Sequence, residues 1–276
     1  MYSRPAVLAP GQYLRALGAQ SGATLQADFA YAKSMYLSLG TTIISYVVIF
    51  LIWGFVLKTR GSVGGYSPPE FISYLVLAAW LSASLSTRVE GEMAERIRQG
   101  LVATDLLKPV DFQQMLVARS VGHTIFQALV ALVIPVVGFL ALGRAIFPSS
   151  AGYAGAAAVS VALAFLVQFA IGFLFFQAVF AVNTGYGIFQ TRGMLHLVFS
   201  GLTAPITAFP DRLRFFADLL PFRHVIYTPV SIWLGRIPSA DVPGALLAQA
   251  LWAIGLLLVG RWVFSVAVEH HSVQGG

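Results

Sequence analysis

Cysteine is absent from this 276-residue chain, so it holds no disulfide, no thiolate zinc site and no cysteine nucleophile, and redox chemistry says nothing about its compartment. Lysine is almost absent too. Its three positions, Lys33, Lys58 and Lys108, all lack a preceding glycine, which removes the Gly-Lys pair that a phosphate-cradling Walker loop requires. Charge is scarce, at 10% of residues, and no acidic residue lies deep in any long apolar run. No Ser-His-Asp, paired-carboxylate or metal-ligand constellation is visible, and Glu269-His270-His271 in a short tail lacks the fixed geometry of a metal site. The chain reads as something other than an enzyme.

What it has is apolar length. Hydrophobic residues make up 58% of the chain and the mean hydropathy is +0.79, more than a soluble fold can hide. A bilayer core about 30 Å thick takes about 20 apolar residues per helix, so about six crossings fit the length. The expected fold is an all-α integral membrane protein. It has about six transmembrane helices, an amphipathic N-terminal segment, a charged cytoplasmic helix and a broken outer segment before the last helix. The formal charge of +6 does not imply nucleic acid, because the 17 basic residues are dispersed among apolar segments with no aromatic-basic surface.

Residues 1–34 read as a cytoplasmic or interfacial segment, too polar and too far ahead of the first apolar run to be a cleaved signal. Residues 35–268 form the membrane domain, with spans expected at 35–57, 71–87, 116–143, 152–182, 188–208 and 242–266, and residues 269–276 are a tail. The break between the fourth and fifth spans is expected at 183–187. Counting Lys and Arg on alternate sides gives ten against seven in favour of a cytoplasmic amino terminus.

Two interruptions carry the information. Between the second and third spans, Glu90, Glu92, Glu95, Arg96, Arg98, Asp105 and Lys108 are concentrated in one stretch that cannot lie in hydrocarbon. Val89, Met93 and Ile97 recur every four residues there, the pattern of a surface helix, which Gly100 can end and Pro109 stops before the next span. Spacing alone fits a solvated connector equally well. Before the last span, residues 210–238 alternate charged and aromatic side chains, and Pro221 and Pro229 break any long helix.

The run from Glu95 to Asp111, with Ile97-Arg98-Gln99-Gly100 and then Asp105-Leu106-Leu107-Lys108-Pro109-Val110-Asp111, resembles the cytoplasmic loop of type-2 ABC exporter permeases, in particular the viologen-exporter-like branch. Lys108 stands where arginine is common, and Leu101 where an acidic residue is. Leu220-Pro221-Phe222, Pro229 and Leu234-Gly235 resemble the outer segment of the same family. The resemblance implies a permease subunit in a bacterial-type inner membrane. It would pair with a second permease, the same chain or a paralogue, and with two cytosolic ATPase subunits that bind ATP and Mg. Residues 88–109 would form the coupling helix, with Glu92, Glu95, Arg96, Arg98, Gly100, Asp105, Leu107, Lys108 and Pro109 at the ATPase contact, and residues 210–238 a re-entrant outer segment. The cargo would be an amphipathic, cationic or lipid-like compound moved outward.

On the fifth span, Arg192, His196, Ser200, Thr203 and Thr207 follow one another at helical intervals and are expected on one face. A polar stripe in lipid turns to protein or to a water-filled path, although Ser and Thr also bond their own backbone. The family resemblance sets the second span beside it, which adds Tyr74, Trp80, Ser82 and Ser86 to the expected path. Gln127, Gln168 and Gln177 read as helix-helix bonds, and Ala151, Ala154, Gly155 and Ala158 as close helix packing. An ion-coupled secondary transporter or a non-transporting scaffold are the rival readings. Charge reversal at Glu95 and Arg98 together should abolish transport while leaving membrane insertion intact, measured by uptake into inverted vesicles and by extraction of the membrane fraction; unchanged uptake refutes the coupling role.

Overall fold

The structure is a computed structural model that describes residues 9–30, 33–85, 91, 96, 104–105, 107–143, 147–178 and 186–274. Among these, regular structure is helical apart from one isolated bridge between Val63 and Tyr66. Three described helical stretches, Phe112–Gly138, Ala151–Gln177 and Val242–Val266, are long and apolar enough to cross a membrane. At 1.5 Å per residue each exceeds the roughly 30 Å of a hydrocarbon core.

Helix α1 (Pro10–Ala30) starts on a proline, whose missing N–H costs nothing in a first turn. It packs along α4 (Phe112–Val130). His123 Nδ1 of α4 is 2.6 Å from Asp28 Oδ2, and Gln127 Nε2 is 3.1 Å from His123 Nε2. The helices approach so closely that a Cβ on Gly122 would sit 2.2 Å from the Ser21 carbonyl oxygen. Gly122 is therefore the close-approach residue of this pair.

Helix α2 (Lys33–Arg60) ends on Lys58 and Arg60, basic residues that suit the negative end of a helix and the edge of a membrane. A tight turn follows, with Gly64 at φ 60° and Gly65 at φ 81° between the paired Val63 and Tyr66, a conformation that two successive glycines adopt without strain. Helix α3 (Pro68–Ser84) then opens with the Glu70 carboxylate accepting bonds from the Ser67 N–H at 2.9 Å and the Ser67 hydroxyl at 2.6 Å.

The expected third span is two helices, α4 and α5 (Val133–Leu142), divided at Ala131 and Leu132. Pro135 explains the division, since it cannot donate to the carbonyl four residues back and its ring crowds that carbonyl. Helix α6 (Ala151–Gln177) begins with the Ser150 hydroxyl accepting from the Tyr153 N–H. Its neighbour α10 (Val242–Gln274) keeps a helical backbone beyond the expected end near residue 266, through the stretch read as a tail. The side chains of Glu269, His270 and His271 lie outside the described set.

The expected fifth span needs the largest correction. Helix α7 (Tyr186–Phe199) stops 9 residues short of Ala208. Gly201, at φ 84°, leaves the helical path where a Cβ would strike the Tyr74 hydroxyl at 2.6 Å, and Pro205 prevents resumption. The chain continues through a 3-10 turn at Ile206–Ala208, helix α8 (Asp211–Leu219), a second 3-10 turn at Pro221–His224 and helix α9 (Tyr227–Trp233). These are the short broken helices expected between 210 and 238.

The core is formed by α3, α6 and the turn leading into α9: Phe71, Tyr74, Ala78, Ala164, Val167, Val225 and Ile226 are at most 1% exposed. Large apolar side chains also line the outside. On α10, Leu247, Leu251, Ile254, Leu258 and Trp262 are each more than half exposed and recur at helical intervals, as do Ile44, Leu51 and Phe55 on α2. Such ridges suit hydrocarbon rather than water. At the centre the Gln249 carboxamide joins three elements. Its Nε2 donates to the carbonyls of Ser160 and His224, both at 2.8 Å, and its Oε1 accepts from the Ser160 hydroxyl at 2.8 Å. Gln249→Leu should lower stability by about 1–2 kcal/mol by orphaning these groups, seen as a drop in Tm of the detergent-solubilised protein.

Candidate coupling and transport residues

At the end of the bundle where α3 finishes and α4 begins, Asp105 is the organising group. Its side chain is fully enclosed. Arg96 Nε donates to Oδ2 at 2.6 Å and Lys108 Nζ to Oδ1 at 2.7 Å, while the Lys108 N–H closes a backbone turn onto the Asp105 carbonyl at 3.2 Å. Two cations, one nine residues before Asp105 and one three residues after it, thus converge on one carboxylate. Burial pushes the Asp105 carboxyl up, but the hydrogen bonds from Lys108 and Arg96 and their charges outweigh it and hold the group below its ordinary 3.8. The cluster leaves Leu107 at the tip of the turn 62% exposed, with Pro109 exposed beside it. Leu107 is thus an exposed apolar tip on a charged, internally braced turn.

A second cluster fastens this turn to the bundle. Asp111 caps α4, its Oδ1 accepting from the Gln114 N–H at 3.1 Å, and its Oδ2 pairs with Arg261 of α10 at 3.1 Å. The Tyr13 hydroxyl of α1 donates to Gln114 Oε1 at 2.8 Å and accepts the Asp111 N–H at 3.1 Å. Tyr13, Gln114 and Arg261 did not figure among the sequence-derived site residues. Nothing in their local spacing could have found them, since Tyr13 and Arg261 lie about 100 and 150 residues from Asp111 and meet it only through the packing of α1 and α10. Glu92, Glu95, Arg98 and Gly100, like Ser86, fall outside the described residues.

The expected polar stripe is not one helical face. Arg192 and His196 are half-buried on α7, and Ser200 follows its last turn. Past Gly201 the chain turns away: the Thr203 carbonyl accepts from Trp53 Nε1 at 2.7 Å, and the Thr207 hydroxyl donates to the Gly64 carbonyl at 2.9 Å. Thr203 and Thr207 thus hold irregular backbone together. Among the described residues, His196 Nδ1 and the Ser200 hydroxyl are enclosed without a hydrogen-bond partner.

On α3, Tyr74 is completely buried and donates to the Gly201 carbonyl at 2.7 Å, a core position with no open space before it. Ser82 is half-buried, within bonding reach of the Tyr46 hydroxyl. Trp80 lines an apolar cavity of about 340 Å³ together with Leu77, Ala158, Pro229 and Trp233. That volume falls at the lower end of ligand-pocket sizes, about 300–1,000 Å³.

At the opposite end of the bundle, Arg236 joins the turn after α2 to the segment before α10. Its guanidinium is 2.6 Å from Glu70 Oε2 and lies over the Tyr66 ring, 4.1 Å from the centroid. Burial, with the neighbouring Tyr227 phenol, pushes the Tyr66 hydroxyl up to about 12, so it stays neutral beside Glu70.

Several apolar helices long enough to cross a bilayer define a multi-pass helical membrane protein. Residues 43–275 match the model of the family described as ABC-2 family transporter protein, and the chain belongs to that family. Its members are membrane permeases that lack an ATPase motif and work with an ATPase subunit. No curated protein matches the chain. Helix α1 precedes the matched region.

The Asp105 cluster should respond to acid in one direction. A carboxyl held below its unfolded value contributes stability that is complete above that value and is lost as pH falls through the lower, folded one. The connector should therefore be firm at neutral pH and loosen below about pH 4. Asp105→Asn should loosen it at neutral pH by about 1–3 kcal/mol, because Arg96 and Lys108 are left facing each other. Hydrogen exchange across residues 96–111 checks both, and protection unchanged by acid and by the substitution would refute the role given to Asp105.

Proposed function

We propose that this chain is the permease subunit of an ATP-driven exporter, crossing the membrane about six times with its amino terminus in the cytoplasm. Family membership carries this reading, and the Asp105 turn is the feature of the chain that best suits it. A permease must receive mechanical work from its ATPase, and work passes only through a rigid contact. Arg96 and Lys108 drawn onto a buried carboxylate make the turn stiff, exposed Leu107 gives it an apolar knob, and the Asp111–Arg261 pair ties it to the last membrane helix. Glu92, Glu95 and Arg98 would add the charged rim. The assembly would hold two cytosolic ATPase subunits, each binding ATP and Mg, and a second permease copy or paralogue, in a bacterial-type inner membrane.

For the path we keep Arg192, His196 and Ser200, and with them Trp80, Ser82 and Ser86, on the strength of the family resemblance. The buried polar atoms on His196 and Ser200 that lack a partner support this choice, since a passing polar group or water would satisfy them. With no acidic residue deep in any span, recognition would rest on aromatic, apolar and hydroxyl groups, as suits an amphipathic or lipid-like cargo in the manner of the viologen-exporter branch.

Co-expression with a cytosolic ATPase subunit of the same transporter class, taken from the gene's neighbourhood where one is encoded there, should give a complex that survives affinity purification and whose ATPase rate depends on the permease. Leu107→Asp should weaken the association about tenfold, roughly 1.4 kcal/mol. Failure of the wild-type chain to retain the ATPase, or an ATPase rate indifferent to it, would overturn the exporter reading in favour of an uncoupled carrier or a scaffold.

A further inference from the structure

Helix α8 has three sectors, which follow from a rotation of about 100° per residue. Leu213 and Ala217 face the protein, and Ala217 is fully buried. Asp211, Arg214 and Asp218 share a polar flank, where Asp218 pairs with Arg223 and lies 3.8 Å from Arg214 Nε. The remaining arc carries Phe215, Phe216 and Leu219, which are 64%, 55% and 61% exposed, with Arg212 in its middle. Arg212 has no ion pair among the described residues. No described residue of the chain covers this arc, and two exposed phenylalanines on a helix of 9 residues are costly in water.

The depth of α8 is fixed by its neighbours. Four residues before it starts, the Thr207 hydroxyl bonds the Gly64 carbonyl at 2.9 Å, in the turn that follows the basic end of α2. Lys58 and Arg60 there mark the limit of an apolar helix, which is the level at which hydrocarbon gives way to phosphate. Nor is α8 loosely tethered: Arg223, which holds Asp218, lies over the Tyr227 ring at 5.2 Å from its centroid, at the start of the buried α9.

We propose that α8 is a phospholipid-binding helix in the plane of the membrane surface, with Phe215, Phe216 and Leu219 in the upper acyl region and Arg212 on a lipid phosphate. The chemistry of the arc matches that boundary, apolar bulk around one cation, where a phospholipid presents acyl chain and anion together. A second copy of the chain is the weaker occupant, because a twofold contact through this arc would bring two Arg212 guanidinium groups towards each other. The proposal needs only the multi-pass membrane fold and is independent of the ATPase partner and the cargo.

The absence of cysteine makes the test direct. The full chain carrying Phe216→Cys, Leu219→Cys or Asp211→Cys is labelled with a nitroxide and reconstituted in vesicles of phosphatidylcholine and phosphatidylglycerol. Collision with oxygen and with a water-soluble nickel complex is then read by electron paramagnetic resonance. At 216 and 219 the oxygen-to-nickel accessibility ratio should be several-fold higher than at 211, and Arg212→Glu should shift the 216 label towards nickel. Nickel access at 216 and 219 equal to that at 211 would overturn the proposal. Dipolar broadening between labels with both reagents excluded would overturn it in favour of a second copy. A 216 profile indifferent to Arg212→Glu would overturn the phosphate contact. The two apolar positions are independent reporters should one variant fail to fold, and no transport activity enters the readout.

Discussion

Irregular backbone beside membrane helices persists only where protein groups take up its N–H and C=O, and the segment from Ser200 to Ile237 is organised by that constraint. Side chains from across the chain supply the partners. Tyr74 bonds the Gly201 carbonyl, Trp53 that of Thr203, Gln249 that of His224 and Tyr153 that of Ile237, while the Tyr227 N–H returns to Ser200. Each of these bonds fixes a neighbour of the segment as well as the segment itself. The packing of α3, α6 and α10 around α9 is the sum of these attachments.

The same constraint separates the two ends of the molecule. At the end bearing the turn after α2, aromatic rings and the Glu70–Arg236 pair brace the broken helices. At the other, Asp105 and Asp111 gather cations from the connector, α1 and α10 contribute Tyr13 and Arg261, and an apolar knob is left outside. The two ends are thus braced by different chemistry. The Asp105 end is held electrostatically, because a buried carboxylate needs cations to remain charged. The opposite region relies on aromatic packing and backbone bonds.

Much of the fold was legible because lipid imposes simple rules. Charge-free runs coincide with helices α2, α3, α6 and α10, and the chain between 210 and 238 forms only short helices, one of which, α9, carries Pro229 in its first turn. The misreadings have definite physical causes. Spacing placed Thr203 and Thr207 on the face of Arg192 because periodicity counts residues and takes helical continuity for granted; Gly201 and Pro205 end that continuity. Tyr74 was read as facing the path, but its ring is fully buried beside Tyr66 and Tyr227 and its hydroxyl donates to the Gly201 carbonyl. The fastening of α1 to α4 was unreadable, since its signal is a glycine that permits approach to Ser21 and an aspartate that meets His123 from 95 positions away.

By itself the sequence determined that the chain is a helical membrane protein, because composition and long apolar runs need no geometry to interpret. It also marked Asp105, Leu107 and Lys108, as a charged run held out of hydrocarbon by desolvation cost. Only the tertiary structure decided that Asp105 is the buried hub and Leu107 the exposed tip, that α7 ends at Phe199, and that α8 turns two phenylalanines outward. Those facts depend on which side chains meet across long separations, and local periodicity carries no record of that.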